Sequence, residues 1–135
     1  MQFVQLSAKD ADSIVELEKL AYVNYDVPQI TKNQIENLLS NGFILGIEDK
    51  RKLLSCIQIF EENNTAWSVW GIATLPGMQG KGLADKLLKR VIELAKEKGT
   101  IKKITTTIRP GNERSLKLFS ANLEIPLFCD SWLHT

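Results

Sequence analysis

The spacing of apolar residues changes several times along the chain, and each change predicts a new element of secondary structure. Residues 8–22 and 83–98 repeat apolar side chains every three to four positions, which is typical of amphipathic helices. Residues 31–40 carry a shorter stripe of the same kind. Five runs that alternate, or are rich in β-branched and aromatic side chains, predict strands: residues 1–6, 43–47, 53–60, 66–75 and 101–108.

Cap and turn residues mark where these elements begin and end. Residues 7–10 and 31–34 are capping boxes, which open helices. Gly42 is expected to end the second helix, and Gly71 inside a strand predicts a bulge or a close approach by a ligand. Residues 113–122 predict a last short helix, followed by one or two strands. The order β-α-α-β-β-β-α-β-α-β predicts a mixed α/β (α+β) fold.

Composition and charge narrow the class of protein. The chain has 135 residues, so residues 1–135 are expected to form one domain. The net charge of +1 favours neither nucleic acid nor an anionic membrane as a partner. No apolar run reaches the roughly 18 residues of a membrane span, and no signal peptide is recognisable. Two cysteines without C-x-x-C spacing predict no metal site and no disulfide framework, which is typical of a cytoplasmic protein.

The clearest chemical signal lies in residues 79–84 (QGKGLA), between a strand and the longest helix. Small residues at alternate positions let the backbone approach a ligand closely, and the first N–H groups of a helix have no intrahelical acceptor. Lys81 adds positive charge, so the segment suits a pyrophosphate. The dinucleotide and P-loop patterns both fail, because Asp85 and Leu83 stand where those motifs need glycine and lysine. A tight turn without a ligand is the alternative.

The same segment resembles the acetyl-CoA motif of the GNAT acetyltransferase superfamily, as Gln79-x-x-Gly82-x-Ala84 opening an amphipathic helix. Residues 108–112 (IRPGN) and the short helix after them are similar to a second element of that family. The resemblance is strong over residues 66–120 and topological before that. It implies a mixed, mostly antiparallel central sheet flanked by about four helices, with a shortened C-terminal strand region. The cofactor half also resembles the diaminobutyrate acetyltransferases of ectoine biosynthesis.

The resemblance implies acetyl-CoA as co-substrate and assigns residues to it. Backbone groups on the long strand would bind the pantetheine arm and the thioester, and N–H groups of the loop and helix would bind the pyrophosphate. A polar residue after the fifth predicted strand would position the pantetheine, and Phe119 would lie near the thioester sulfur. The implied cofactor-binding residues are Ile72, Ala73, Thr74, Gln79, Gly80, Lys81, Gly82, Leu83, Ala84, Asp85, Asn112, Ser115 and Phe119.

The acceptor site of this family lies between the first two helices, which places substrate-binding residues there. The resemblance implies that role for Tyr22, Tyr25, Asp26 and, on the long strand, Trp70, for which packing on the sheet is the alternative. The usual acid and base positions hold Phe119 and Ser68, neither of which ionises near neutral pH. Candidate catalytic groups are therefore Tyr25 and Glu61, with Glu62 or a chain of water molecules as alternatives.

The function predicted from the sequence is transfer of acetyl from acetyl-CoA to the amine of a small molecule or amino acid, by direct attack in a ternary complex. Two alternatives stay open: acetylation of a protein or peptide amine, and a regulatory module that binds CoA without catalysis. The short segment after Phe119 predicts an exposed sheet edge. Because such edges are often covered by a second subunit, a homodimer is expected.

Overall fold

The computed structural model describes residues 1–23, 29–107, 117–119 and 127–130. The strands are β1 (Gln2–Leu6), β2 (Gly42–Asp49), β3 (Lys52–Asn63), β4 (Ala66–Thr74), β5 (Lys103–Thr107) and β6 (Leu127–Asp130). The helices are α1 (Ala11–Ala21), α2 (Lys32–Ser40) and α3 (Leu83–Lys98), and residues 117–119 are also helical. Single 3-10 turns, Ala8–Asp10 and Pro76–Met78, precede α1 and α3.

The six strands form one sheet in the order in which they occur along the chain. β1 to β4 are antiparallel neighbours, whereas β4 pairs with β5, and β5 with β6, in parallel. The antiparallel part needs only short turns, and α3 supplies the crossover that a parallel neighbour requires. The mixed, mostly antiparallel sheet predicted from the sequence is confirmed, and its last strand is only four residues long.

Helices cover both faces of the sheet, and each face has its own apolar core. On one face, Leu87 and Val91 of α3 pack with Ile57, Ile59 and Ile104. On the other face, apolar residues of α1 and α2 pack against β2, β3 and β4: Ile14, Leu17, Ile35, Leu38, Ile44, Cys56 and Ala73. β3 is buried on both faces, so residues 54–59 are buried without interruption instead of alternating between buried and exposed. Each such buried leucine or isoleucine contributes about 1.5–3 kcal/mol.

An extra residue in β4 opens the sheet where the site lies. The pairing of β3 with β4 changes register between Gln58, opposite Gly71, and Ile59, opposite Val69. Trp70 therefore has no partner, and the bulge expected near Gly71 is confirmed. Among the described residues, which end β5 at Thr107, β4 pairs with β5 over residues 66–69, and no pairing continues to residues 70–74. We call the space beside residues 70–74 of β4 the β4–β5 gap.

Candidate active site

The hydrogen-bond pattern of β3 and β4 decides which backbone groups face the β4–β5 gap. The N–H of Leu75 donates to the carbonyl of Leu54 over 2.9 Å. In an antiparallel pair, every second residue exchanges such bonds with the facing strand. Ala73 therefore directs its backbone groups at β3, whereas Ile72 and Thr74 direct theirs into the gap. Of the three residues expected to bind the pantetheine arm with their backbone, two are oriented to do so.

The loop before α3 contains two glycines, and the N-cap of the helix makes no side-chain hydrogen bond. Gly80 and Gly82 have φ angles of 80° and 78°, in the left-handed region that residues with a Cβ rarely adopt. Gly82 is the N-cap of α3, and its carbonyl accepts a hydrogen bond from the N–H of Lys86 over 3.0 Å. Because a glycine N-cap has no side chain to cap with, the start of α3 is suited to bind an anion with its backbone N–H groups. The exposed side chain of Lys81 adds a positive charge beside them.

Two side-chain contacts affect how this loop could bind an anion: one connects it to β4, and the other neutralises a carboxylate. The side-chain amide of Gln79 lies 3.4 Å from the carbonyl of Thr74, so it joins the loop to the end of β4. The carboxylate of Asp85 pairs with Lys89 over 2.8 Å, which offsets its repulsion of a bound anion. Leu83 is buried in the core against the sheet and offers only its backbone. The contact of Gln79 thus places the loop beside the end of β4.

The end of α1 meets β4 at the opening of the gap. The hydroxyl of Tyr22 donates a hydrogen bond to the carbonyl of Ile72, one of the groups that face the gap. One turn earlier on α1, Oε1 of Glu18 accepts a hydrogen bond from Nε2 of Gln58 over 2.5 Å. A Cβ atom placed on Gly71 would lie 3.7 Å from the same Oε1. Tyr22 and Glu18 therefore lie beside consecutive positions of β4.

Glu18 has an unusual environment for a carboxyl group. Burial raises its pKa from 4.5 to about 7, and the hydrogen bond from Gln58 lowers it only in part. Among the described residues, the partner that binds this carboxyl is a neutral amide and not a cation. The sequence prediction did not include Glu18. Its spacing of four residues from the buried Ile14 was the available signal, since it places a carboxyl on the apolar side of α1.

An aromatic surface lies beside this point, on the face of the sheet that packs against α1. Trp70 stacks on Phe60, with ring centroids 4.8 Å apart and ring planes 18° apart. Trp70 remains 56% exposed although it belongs to a sheet strand, because the bulge directs it out of the regular pleat. A flat apolar surface is therefore open to a ligand next to the gap.

Comparison with known proteins agrees with this geometry. The model of the acetyltransferase (GNAT) family matches residues 11–123. The chain belongs to the GNAT acetyltransferase family. No curated protein sequence matches it, and the comparisons do not support a particular resemblance to diaminobutyrate acetyltransferases. As a GNAT member, it is an acetyl-CoA-dependent acetyltransferase.

Solved structures of GNAT proteins share its fold at low sequence identity. The PaiA N-acetyltransferase of Thermoplasma acidophilum, in complex with coenzyme A, superimposes with a TM-score of 0.76 and 16% identity, over 90% of this chain and 87% of that one. The ribosomal-protein-S18-alanine N-acetyltransferase of Escherichia coli gives 0.78 and 15%, over 89% and 74%. A ribosomal-protein-alanine N-acetyltransferase of Brucella melitensis gives 0.73 and 19%, over 96% of both chains.

Two positions at which GNAT enzymes often carry acid or base groups are used differently in this chain. Phe119 is 3% exposed and belongs to the core beneath α3. Ser68 donates a hydrogen bond to the Glu62 carboxylate over 2.8 Å. Ser68 is paired with Thr105 of β5, so this contact lies where the sheet is still closed and not in the gap.

The structure does not bring Glu61, a candidate base from the sequence, to the gap. Its carboxylate lies 3.9 Å from the ammonium of Lys98, at the C-terminal end of α3. Successive side chains of a strand point to opposite faces, and Ile57 and Ile59 place this set on the α3 face. Glu61 is therefore on the face opposite Glu18. The other candidate, Tyr25, lies outside the described residues, as do Asp26, Asn112 and Ser115.

Over the described ranges, no helix is both long and apolar enough to cross a membrane. Within the same ranges, no group of three or more histidine, cysteine, aspartate or glutamate side chains is placed to hold a metal ion.

Proposed function

We propose that the enzyme transfers acetyl from acetyl-CoA to the primary amine of a small molecule or an amino acid. The observation that supports this most strongly is the bulge in β4, which turns the backbone groups of Ile72 and Thr74 into the gap. The pantetheine arm would bind along these groups. The pyrophosphate would bind the N–H groups of residues 80–85 at the start of α3.

The proposed reaction is direct attack of the amine on the thioester. A bond forms between the amine nitrogen and the acetyl carbon, and the carbon–sulfur bond breaks, so that its electron pair leaves on the CoA sulfur. A backbone N–H in the gap would stabilise the developing oxyanion, a contribution of about 10²–10³ in kcat per donor in other enzymes. Because both reactants would be held beside β4, much of the entropic cost would be met before reaction.

A second candidate acceptor is the terminal amine of a protein. Two of the structurally similar enzymes act on the alanine of ribosomal proteins, according to their names. The exposure of Trp70 is compatible with a peptide lying across the α1 face. A small apolar or aromatic amine would use the same stacked surface of Trp70 and Phe60.

A turnover screen distinguishes these acceptors. Release of the CoA thiol from acetyl-CoA would be measured with free amino acids, polyamines, 2-phenylethylamine, an aminoglycoside and a peptide with N-terminal alanine. We expect turnover with at least one small amine. Turnover with the peptide alone would replace the first candidate by the second. If no amine reacts and acetyl-CoA gives no thermal stabilisation, the proposed function is overturned, since saturation at about 100 Kd should add about 2.7 kcal/mol.

Replacement of Gly82 by alanine is expected to lower both stability and affinity for acetyl-CoA. The Cβ would meet no atom within 4 Å, but the φ angle of 78° is one that residues with a Cβ rarely adopt. The left-handed conformation costs about 1–2 kcal/mol for such residues. Gly77→Ala is the matched control, because Gly77 also has open space around it and does not have a positive φ. Thermal unfolding and acetyl-CoA titration of both variants check this, and equal behaviour of the two would contradict it.

A further inference from the structure

We propose that Glu18 is the general base of the acetyl transfer and that Gln58 holds its carboxylate in place. This inference rests on the function proposed above, since it assigns the group that removes the proton from the attacking amine. In the proposed step, the amine nitrogen bonds to the acetyl carbon and the thiolate leaves. One N–H proton passes to the carboxylate of Glu18, which then releases it to solvent or to the thiolate.

Glu18 lies beside the residue of β4 that follows the bulge. Its Oε1 would lie 3.7 Å from a Cβ on Gly71, the residue that follows the bulge and precedes Ile72. Because Gly71 has no side chain, the space between the carboxylate and the strand stays open at this point. The backbone of Ile72 faces the gap directly beside it. An acetyl group bound at Ile72 would therefore have Glu18 on the α1 side, where the acceptor is expected.

Hydrogen bonds from two side chains hold this end of α1 in place. Gln58 is nearly fully buried in β3 and donates its amide to Glu18 over 2.5 Å. Tyr22, one turn further along α1, is bonded to the carbonyl of Ile72. These two contacts hold the end of α1 against β3 and β4 on either side of the same point. The carboxylate is thereby held by side chains of regular elements, which suits a group that must meet a reactant with accurate geometry.

The charges around Glu18 leave it free to accept a proton. The thiol of Cys56 lies beneath it on β3, and burial, reinforced by the nearby Glu18, keeps this thiol protonated by raising its pKa. On α1 the neighbouring titratable group is Tyr22, and β4 faces Glu18 with Gly71, which has no titratable side chain. Lys32 of α2 is occupied with Asp12, near the start of α1. No ammonium or guanidinium group among the described residues forms a salt bridge with Glu18.

The acid–base behaviour of Glu18 fits this position. The pKa raised to about 7 by burial means that the carboxyl is partly ionised at neutral pH and can both take up and release a proton. Glu62, the alternative carboxylate on the same face, is exposed and bonded to Ser68, where β4 and β5 are still paired. Of these two carboxylates, Glu18 is the one placed at the gap.

The test compares Glu18→Gln with Glu16→Gln, a matched control at an exposed position of the same helix. Thiol release from acetyl-CoA is measured from about pH 5 to about pH 9, with 2-phenylethylamine, which is protonated at neutral pH, and with hydroxylamine, which is largely unprotonated. We expect Glu18→Gln to lower kcat with 2-phenylethylamine by roughly 10²–10⁴ and to remove the ascending limb near pH 7. The loss with hydroxylamine should be far smaller, and acetyl-CoA affinity should be unchanged. Glu16→Gln should behave as the wild type.

Other outcomes separate the failure of this inference from the failure of the function. An unchanged pH profile in Glu18→Gln, an equal loss with both nucleophiles, or a weakened acetyl-CoA complex would each overturn the role of Glu18 while leaving acetyl transfer in place. If neither nucleophile reacts with the wild type, carboxyl ¹³C NMR decides. A Glu18 signal whose titration shifts when acetyl-CoA binds supports the assignment, and a signal that acetyl-CoA leaves unchanged overturns it. Absence of acetyl-CoA binding overturns the function itself.

Discussion

Gly42→Ala is expected to destabilise the protein by about 3 kcal/mol or more, which is more than Gly82→Ala or Gly77→Ala. A Cβ on Gly42 would lie 2.0 Å from the carbonyl oxygen of Ile59 and 3.0 Å from the Cα of Phe60. Both are backbone atoms of β3, so no side chain can rotate to make room. The variant can relieve the overlap only if β2 and β3 separate at the position where Gly42 faces Phe60.

Urea unfolding of Gly42→Ala and Gly77→Ala measures this effect. The control adds the same methyl group where no atom lies within 4 Å. We expect the midpoint of Gly77→Ala to stay close to that of the wild type and the midpoint of Gly42→Ala to fall strongly, at a similar m value. Equal midpoints for the two variants would show that β2 and β3 are not paired as described.

Glu18→Gln is expected to stabilise the protein at alkaline pH while it removes activity. The pKa of Glu18 is raised from 4.5 in the unfolded chain to about 7 in the folded protein, by burial. Below about pH 4.5, Glu18 is protonated in both the folded and the unfolded protein. Between about pH 4.5 and pH 7, it is protonated only in the folded protein. The free energy of unfolding of the wild type therefore falls as pH rises through this window and is level above about pH 7.

The size of this effect follows from the pKa difference, with a discount because Glu18 is partly exposed. A difference of this size corresponds to at most about 3 kcal/mol, and we expect about 1–3 kcal/mol in practice. Glutamine does not titrate, so Glu18→Gln should lack this loss and exceed the wild type at pH 8. Urea unfolding at several pH values, with Glu16→Gln as the control, checks it. The same pH dependence in all three proteins would show that Glu18 is not buried as described.

The cost of Glu18 to stability and its proposed role in catalysis have the same cause, the burial of its carboxyl group. A carboxyl that is partly removed from water costs stability whenever it is ionised, and a protein that only needed to fold would gain from an uncharged side chain there. Opposite changes in stability and activity on one substitution are common where a functional group is held in an unfavourable environment. A gain in stability with loss of turnover would therefore be the combined expectation for Glu18→Gln.

The helices, most strands and the bulge could be predicted from sequence because local patterns determine them. The apolar stripe of α3, the capping box at Thr31 and the glycine at position 71 each act through near neighbours in the chain. The family resemblance rested on similar short segments. The loop before α3 could be predicted for the same reason, since Gly80 and Gly82 meet a local backbone requirement.

Other features depend on contacts between distant segments, and local patterns did not reveal them. Asn41-Gly42 was expected to end the second helix, and α2 does end there, with Asn41 as its C-cap. The local pattern did not reveal that Gly42 is also required by the close approach of the backbone of β3. Glu61 and Glu62 differ by one position and lie on opposite faces, a choice fixed by strand register. Glu18 reaches β4 only because α1 packs across β3, so its chemistry emerges from the tertiary structure.

A crystal structure of the enzyme with acetyl-CoA would show whether the acetyl group lies in the β4–β5 gap beside Glu18. We expect the pyrophosphate to accept hydrogen bonds from N–H groups of residues 80–85. We also expect the thioester oxygen to lie within hydrogen-bond distance of the N–H of Ile72, with the Glu18 carboxylate on the acceptor side of the acetyl carbon. Acetyl-CoA bound elsewhere, or a thioester remote from both Ile72 and Glu18, would contradict this placement.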